Sequence, residues 1–193
     1  MAPPIPRTSL ERAIAFLNTW DTLAPAPDLV ADTAILGRFL RWVHDRPAPV
    51  TAGDADLAAF RAARGRLRAA FESPDETTAV EALNAILADR PAVARLERNG
   101  DSWTLRHEPV QPDLIEALLA ESALALLEAI RDIGWERLGL CAGSPCTCVY
   151  VDRSRNRSRK FCSDLCNDRV SQEAYRRRVH AGRSRAGVGP PRA

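Results

Sequence analysis

The chain has 193 residues, 46% hydrophobic and 27% charged, the composition of a soluble globular protein with room for one ordinary domain and a small one. No apolar run approaches the roughly 20 residues that cross a bilayer, and Met1–Arg7 lacks the apolar stretch of a signal peptide, so the expected location is the cytoplasm. The formal net charge of +2 hides a division: residues 1–136 hold 14 Lys and Arg against 21 Asp and Glu, whereas residues 137–193 hold 13 against 4.

The first predicted helix runs over Thr8–Trp20, with Thr8 or Ser9 as cap and Glu11 three residues after Thr8. Leu10, Ile14 and Leu17 then repeat at helical spacing. Pro25 and Pro27 mark a loop. A second helix fits Asp32–His44 and a third Asp54–Phe71, capped by Thr51 or Asp54, with Leu57, Phe60, Leu67 and Phe71 inward and Arg61, Arg64, Arg66 and Arg68 on its other face. A fourth fits Asp75–Ala88. Val93–Leu96 and Trp103–Arg106 then alternate around Asn99-Gly100-Asp101, which predicts a small β-hairpin. A long amphipathic helix over Asp113–Ile133 follows, with Leu114, Ile115, Leu118, Leu119, Leu124, Leu127 and Ile130 on its apolar face, and Gly134 ends it.

The fold class expected is mainly α with a small β-hairpin (α+β). Residues 1–136 form a mostly helical domain, 137–180 a small C-terminal module and 181–193 a disordered basic tail. Phe16, Trp20, Phe39, Trp42, Phe60, Phe71 and Trp103 are expected to be core rather than pocket lining. Carboxylates such as Asp21, Asp28 and Asp32 are scattered and no nucleophile signature accompanies them, so no catalytic residue is assigned and the protein is not expected to be an enzyme.

All 5 cysteines fall within residues 141–166. Two short-spaced pairs, Cys141 with Cys146 and Cys162 with Cys166, flank the segment Thr147–Phe161. Such pairs turn four sulfurs toward one point, and Zn²⁺ takes four thiolates tetrahedrally in closed, structural sites. One structural zinc ion is therefore the expected cofactor. Cys146 or Cys148 can supply the second sulfur. Cys146 is favoured, because Cys148 leads into Val149-Tyr150-Val151, a β-like run that buries a thiol as a small apolar group.

Between the pairs, Arg153, Arg155, Arg157, Arg159 and Lys160 crowd five positive charges into eight residues. A helix starting near Ser163 places Cys166 in its first turn and Arg169, Gln172 and Arg176 on one side, with Arg177 beside them. A helix fixed to a metal knuckle and bearing Arg and Gln suits a DNA major groove, so these nine residues are the candidate nucleic-acid contacts. RNA or an acidic protein would satisfy the same charge, which makes a zinc-stabilised RNA- or protein-interaction module the alternative.

The stretch Leu140–Cys146, the run Val151-Asp152-Arg-Ser-Arg-Asn-Arg-Ser-Arg159 and Phe161-Cys162-Ser163 with Cys166 resemble the CGNR zinc-finger family, bacterial proteins regarded as stress-induced transcription regulators. Phe16-Leu-Asn-Thr19 and the helix pattern after it resemble that family's usual N-terminal partner, the ABATE domain. The resemblance implies a zinc held by Cys141, Cys146, Cys162 and Cys166, a finger that binds DNA, and an N-terminal domain that senses a small-molecule effector or stress. A nucleoid-associated location follows from that role, and a homodimer would suit the reading of two half-sites. The family motif Cys-Gly-Asn-Arg stands here as Cys166-Asn167-Asp168-Arg169. Asn167 is expected to supply the left-handed conformation that glycine permits, and Asp168 to repel phosphate or pair with an arginine.

Overall fold

In the computed structural model, which describes residues 8–89, 92–109 and 113–186, helices begin where polar side chains satisfy their first amides. Thr8 and Glu11 form a reciprocal capping box on α1 (Ser9–Leu17). Asp32 caps α2 (Thr33–Val43), Asp75 caps α4 (Glu76–Ala88) and Asp113 caps α5 (Leu114–Ile133). α3 (Asp54–Phe71) differs from expectation. Its N-cap is Gly53, whose N–H donates to the Asp56 carboxylate at 2.7 Å, so neither Thr51 nor Asp54 caps it.

The expected hairpin is present but longer. β1 (Ala92–Asn99) pairs antiparallel with β2 (Ser102–Pro109), closing at Asn99 opposite Ser102. Backbone pairing carries the strands beyond the alternating apolar positions. Trp103 is not core: it is 63% exposed, with the Arg98 guanidinium 5.8 Å from its ring centroid. Phe16, Phe60 and Phe71 are buried, and Phe16 meets Phe60 with ring centroids 4.8 Å apart.

α5 is the hub, packing against α1, α3 and α4. Its apolar stripe is wider than the leucine pattern suggested. Alanines 117, 120, 123, 125 and 129 are buried together with Leu126, whereas Leu124 and Leu127 are only half-buried. A helix apolar almost all round sits among its neighbours. Gly134 ends it at φ 94°, a conformation that a side chain would strain.

After a short 3₁₀ turn at Trp135–Arg137, β3 (Leu138–Leu140) pairs antiparallel with β4 (Val149–Val151). Leu138 and Val149 are buried in the same apolar cluster as Phe16, Phe60 and Leu118, so the small hairpin is built into the core of the helical body. α6 (Asp164–Ala186) continues past Gly182, the residue where the sequence suggested irregular structure. Alanines and arginines on both sides of Gly182 favour helix enough to carry the backbone across it. Residues 187–193 of the expected tail lie outside the described residues. No helix is long and apolar enough to cross a membrane, among the described residues.

Candidate metal centre

The first pair of cysteines stands on the β3–β4 hairpin. Cys141 N–H donates to Cys148 O at 2.9 Å, extending the ladder by one step, and Cys146 N–H donates back to Gly143 O at 2.9 Å to close the turn. Gly143 has a physical reason to be glycine: a Cβ there would lie 3.1 Å from Nη2 of Arg169 and 3.5 Å from Sγ of Cys141. The second pair straddles the start of α6. Cys162 precedes the helix and Cys166 sits in its first turn, where its N–H donates to Ser163 Oγ at 3.4 Å.

Four sulfurs converge from these two places. The Sγ atoms of Cys141, Cys146, Cys162 and Cys166 all lie within 4.8 Å of one another. Cys146 and Cys162 are 3.7 Å apart, as are Cys162 and Cys166, and none of these cysteines is in a disulfide. An ion held tetrahedrally by four thiolates at about 2.3 Å sets its sulfurs about 3.8 Å apart. Two edges of the cluster already have that length and all four sulfurs lie within 4.8 Å of one another, so the donor set fits a Zn²⁺-sized soft cation. Cys148 stands outside the four. It is buried, with its Sγ grouped instead with Cys146 and the carboxylate of Asp21.

The electrostatics of the bare thiols follow from burial and crowding. Burial, with a further contribution from Cys166, pushes the Cys162 thiol up to about 12, and burial together with Cys148 pushes Cys146 further still. Burial also acts on Cys141, but the backbone amides of Cys162 and Gly143 outweigh it and hold that thiol below its ordinary value. Only a cation makes four thiolates at this spacing favourable, and its binding must release protons.

The two halves are joined to their surroundings in different ways. The body grips the first. Asn18 donates through Nδ2 to Val149 O at 3.0 Å and accepts from Val149 N–H at 2.8 Å, capping the exposed edge of β4 as another strand would. Thr22 Oγ1 donates to Pro145 O at 2.5 Å, and Arg68 Nη2 donates to Thr147 O at 2.6 Å. Arg64, from the arginine-bearing face of α3, is 6% exposed; it donates to Asp28 at 2.8 Å and Thr19 at 2.9 Å, and so fixes the loop that carries Thr22.

The basic segment is organised by a residue the sequence did not single out. Asp152 is buried, accepting from Ser154 N–H at 2.7 Å and Arg159 N–H at 3.0 Å. Ser154 and then Arg159 hold its carboxyl below the usual carboxylate range. Arg137 donates to Asp152 O at 3.1 Å and to Ser154 O, closing the loop from the other side. The Asp-x-Ser pattern at 152–154, an Asx-type turn, was the signal available for this.

Of the nine proposed contacts, the structure gives two an internal role. Arg159 donates to the carbonyls of Phe161 and Cys162, with its guanidinium 5.5 Å from the Tyr150 ring centroid. Arg169 donates to Ser144 O at 2.7 Å and to Gly143 O, tying the first turns of α6 to the opposite knuckle. Arg157 pairs with Glu136 at 2.6 Å and Arg177 with Glu173, both in exposed positions. Arg153, Arg155, Lys160, Gln172 and Arg176 are exposed, and no hydrogen bond or ion pair engages their side chains among the described residues. A groove of about 870 Å³ lies between the basic loop and the start of α6, lined by Arg153, Ser158, Lys160 and Asn167 among others, with Asp164 as its acidic member.

The altered motif is explained by this arrangement. Asn167 lies within α6 and is not among the positive-φ residues, so no left-handed conformation is required of it. Asp168 is exposed and makes no ion pair among the described residues. The retained arginine, Arg169, does the part of the motif that holds the fold together.

Two family models match the chain in consecutive segments. ABATE, described as "Putative stress-induced transcription regulator", matches residues 10–132, and the CGNR zinc finger matches residues 137–179. No curated protein matches it.

Proposed function

The chain belongs to the ABATE family and carries a CGNR zinc finger after that domain, and from this premise we propose that it is a zinc-dependent, DNA-binding transcription regulator of the bacterial cytoplasm. Cys141, Cys146, Cys162 and Cys166 hold one structural zinc. The finger meets the duplex, the ABATE domain responds to stress or an effector, and the protein acts by binding, without catalysis of its own. The observation that carries the reading is the groove beside the four sulfurs, where Arg153 and Lys160 face the start of α6. Arg155, Gln172 and Arg176 are exposed as well. Among the described residues no ion pair engages the charges of Arg153, Arg155, Lys160 and Arg176, which is the condition under which phosphate neutralisation and counterion release favour association.

A second class of arginine makes the proposal specific. Arg169 and Arg159 serve the finger by holding it together, so they are not expected to count in the salt dependence. Fluorescence anisotropy of a labelled duplex DNA, titrated with zinc-loaded protein across a salt series, tests this. Arg155→Gln should weaken binding and reduce the log–log salt slope by about one. Arg169→Gln should weaken binding through loss of the folded finger, visible as altered amide protection in α6. Failure to bind duplex at low salt, or displacement of DNA by equimolar RNA, would replace the proposal with the RNA- or protein-interaction alternative.

A further inference from the structure

A cleft of about 280 Å³ opens on the other side of the basic loop, between α1 and the β3–β4 hairpin. Its walls are aliphatic: Leu10 and Ile14 come from α1, and Val149 and Val151 from β4. Val149 is buried and its neighbours are half-buried, so the floor is firm and the mouth open to solvent. Asn18, bonded through both side-chain atoms to Val149, fixes the spacing between the two walls. The cleft therefore lies on the seam where the ABATE segment meets the finger.

Its charged members are unequal. Glu11 is engaged at the N-terminus of α1, where its carboxylate accepts from Thr8 N–H at 3.3 Å. Arg159 is committed to the Phe161 and Cys162 carbonyls. Arg153 remains, exposed and without a hydrogen bond or ion pair among the described residues. An apolar trough with one uncommitted guanidinium at its rim has the makings of a site for an amphipathic anion. At about 30 Å³ for a group of water size, the volume holds roughly nine such groups.

We propose that this cleft is the effector site of the protein, and that it takes a small aliphatic monocarboxylate, its carboxylate on Arg153 and its hydrocarbon body between Leu10, Ile14 and Val151. Arg153 also lines the basic groove, so an anion bound here withdraws one positive charge from the surface assigned above to nucleic acid. That last link rests on the DNA reading; the existence of the site does not.

The test uses zinc-loaded, ¹⁵N-labelled full-length protein without nucleic acid. Hexanoate, 1-hexanol, hexylammonium and acetate are titrated in turn, with the amides of Leu10, Ile14, Val149 and Val151 as reporters. Hexanoate should give saturable shifts at these positions, at least tenfold tighter than 1-hexanol or acetate, while hexylammonium gives none. Arg153→Gln, a change at an exposed residue, should bring hexanoate down to the level of 1-hexanol. Four outcomes would overturn the proposal: no saturable shift in the millimolar range, an equal response to all four probes, shifts confined to residues 153–160, or hexanoate binding unaffected by Arg153→Gln.

Discussion

The two halves of the metal cluster are made of the same chemistry but held by different means. Cys141 and Cys146 stand on a hairpin whose Leu138 and Val149 belong to the main apolar core, and whose turn is gripped by Asn18, Thr22 and Arg68. Cys162 and Cys166 stand on a basic loop and a helix that carry no residue of that core among the described residues. Besides the sulfurs, the links of this half to the remainder are polar, among them Arg169 to the Gly143 and Ser144 carbonyls, Arg137 to those of Asp152 and Ser154, Ala142 N–H to Lys160 O, Tyr150 Oη to Arg159 O, and the Arg157–Glu136 pair. The first half is thus anchored by burial. The second has no such anchor, so on the proposed reading it is the half that depends on the ion, and it is also the half that presents the free positive charge. On the proposed reading, the contrast assigns the metal the task of fastening the polar-held basic element to a core-anchored platform, so that its arginines would meet phosphate in one arrangement.

The strongest way to break this asymmetry is to remove a ligand from the dependent half. Cys166→Ser should take zinc content, measured by elemental analysis, from one ion per chain to none, and duplex binding should fall with it. Structural zinc sites supply on the order of 10–16 kcal/mol of apparent binding free energy, far more than Arg159 and Arg169 can replace. The helical far-ultraviolet signal of the body should persist, because its core does not pass through Cys166.

A milder change loosens the platform instead. Asn18→Ala leaves the buried N–H and C=O of Val149 without partners, a cost of about 1–3 kcal/mol. Thermal unfolding should move down by about 2–4 °C for each kcal/mol in a chain of this size. Zinc content should stay at one ion per chain. Loss of zinc together with the fall in melting temperature would show that the platform, too, depends on the metal.

The smallest effect expected is on the pH dependence of the body. Burial holds His44 below its ordinary value, although its Nε2 lies 3.0 Å from Leu114 O, a contact that works the other way. Its folded-state value being depressed, the unfolded chain takes up a proton first as pH falls below about 6.5. Stability contributed by neutral His44 is therefore present above that pH and declines below it. Asp28 acts lower on the scale. Burial raises it, but Arg64 and Arg61 outweigh burial and keep it depressed, so its contribution is lost only as pH falls below about 3.9. His44→Gln should flatten the decline in melting temperature between neutral pH and pH ~5.5 and leave the zinc content unchanged.

Much of this organisation was legible in the sequence. Five helices of the body followed from apolar spacing and polar caps, the hairpin from Asn99-Gly100-Asp101, and the sulfur cluster from two short cysteine spacings. What escaped had a common cause: a side chain's partner lay far along the chain. Arg64 and Arg68 have the ordinary spacing of a solvated helix face, and nothing local shows that they meet Asp28 and Thr147. Asn18 lies in a stretch noted only for its resemblance, yet it holds β4 from 131 residues away. Arg169 was placed on a reading face because helical spacing gives a direction, and spacing does not reveal that the knuckle occupies it. Trp103 was expected in the core because alternation shows only that a strand has two faces, not that either is covered.

Segment-resolved hydrogen exchange before and after zinc removal by a chelator tests the central claim most directly. The prediction is that protection disappears across residues 153–179 while α1, α3, α5 and β4 keep theirs. Protection lost evenly through the chain, or retained in α6 without the ion, would contradict the claim that the basic half needs the metal to stay ordered on its platform.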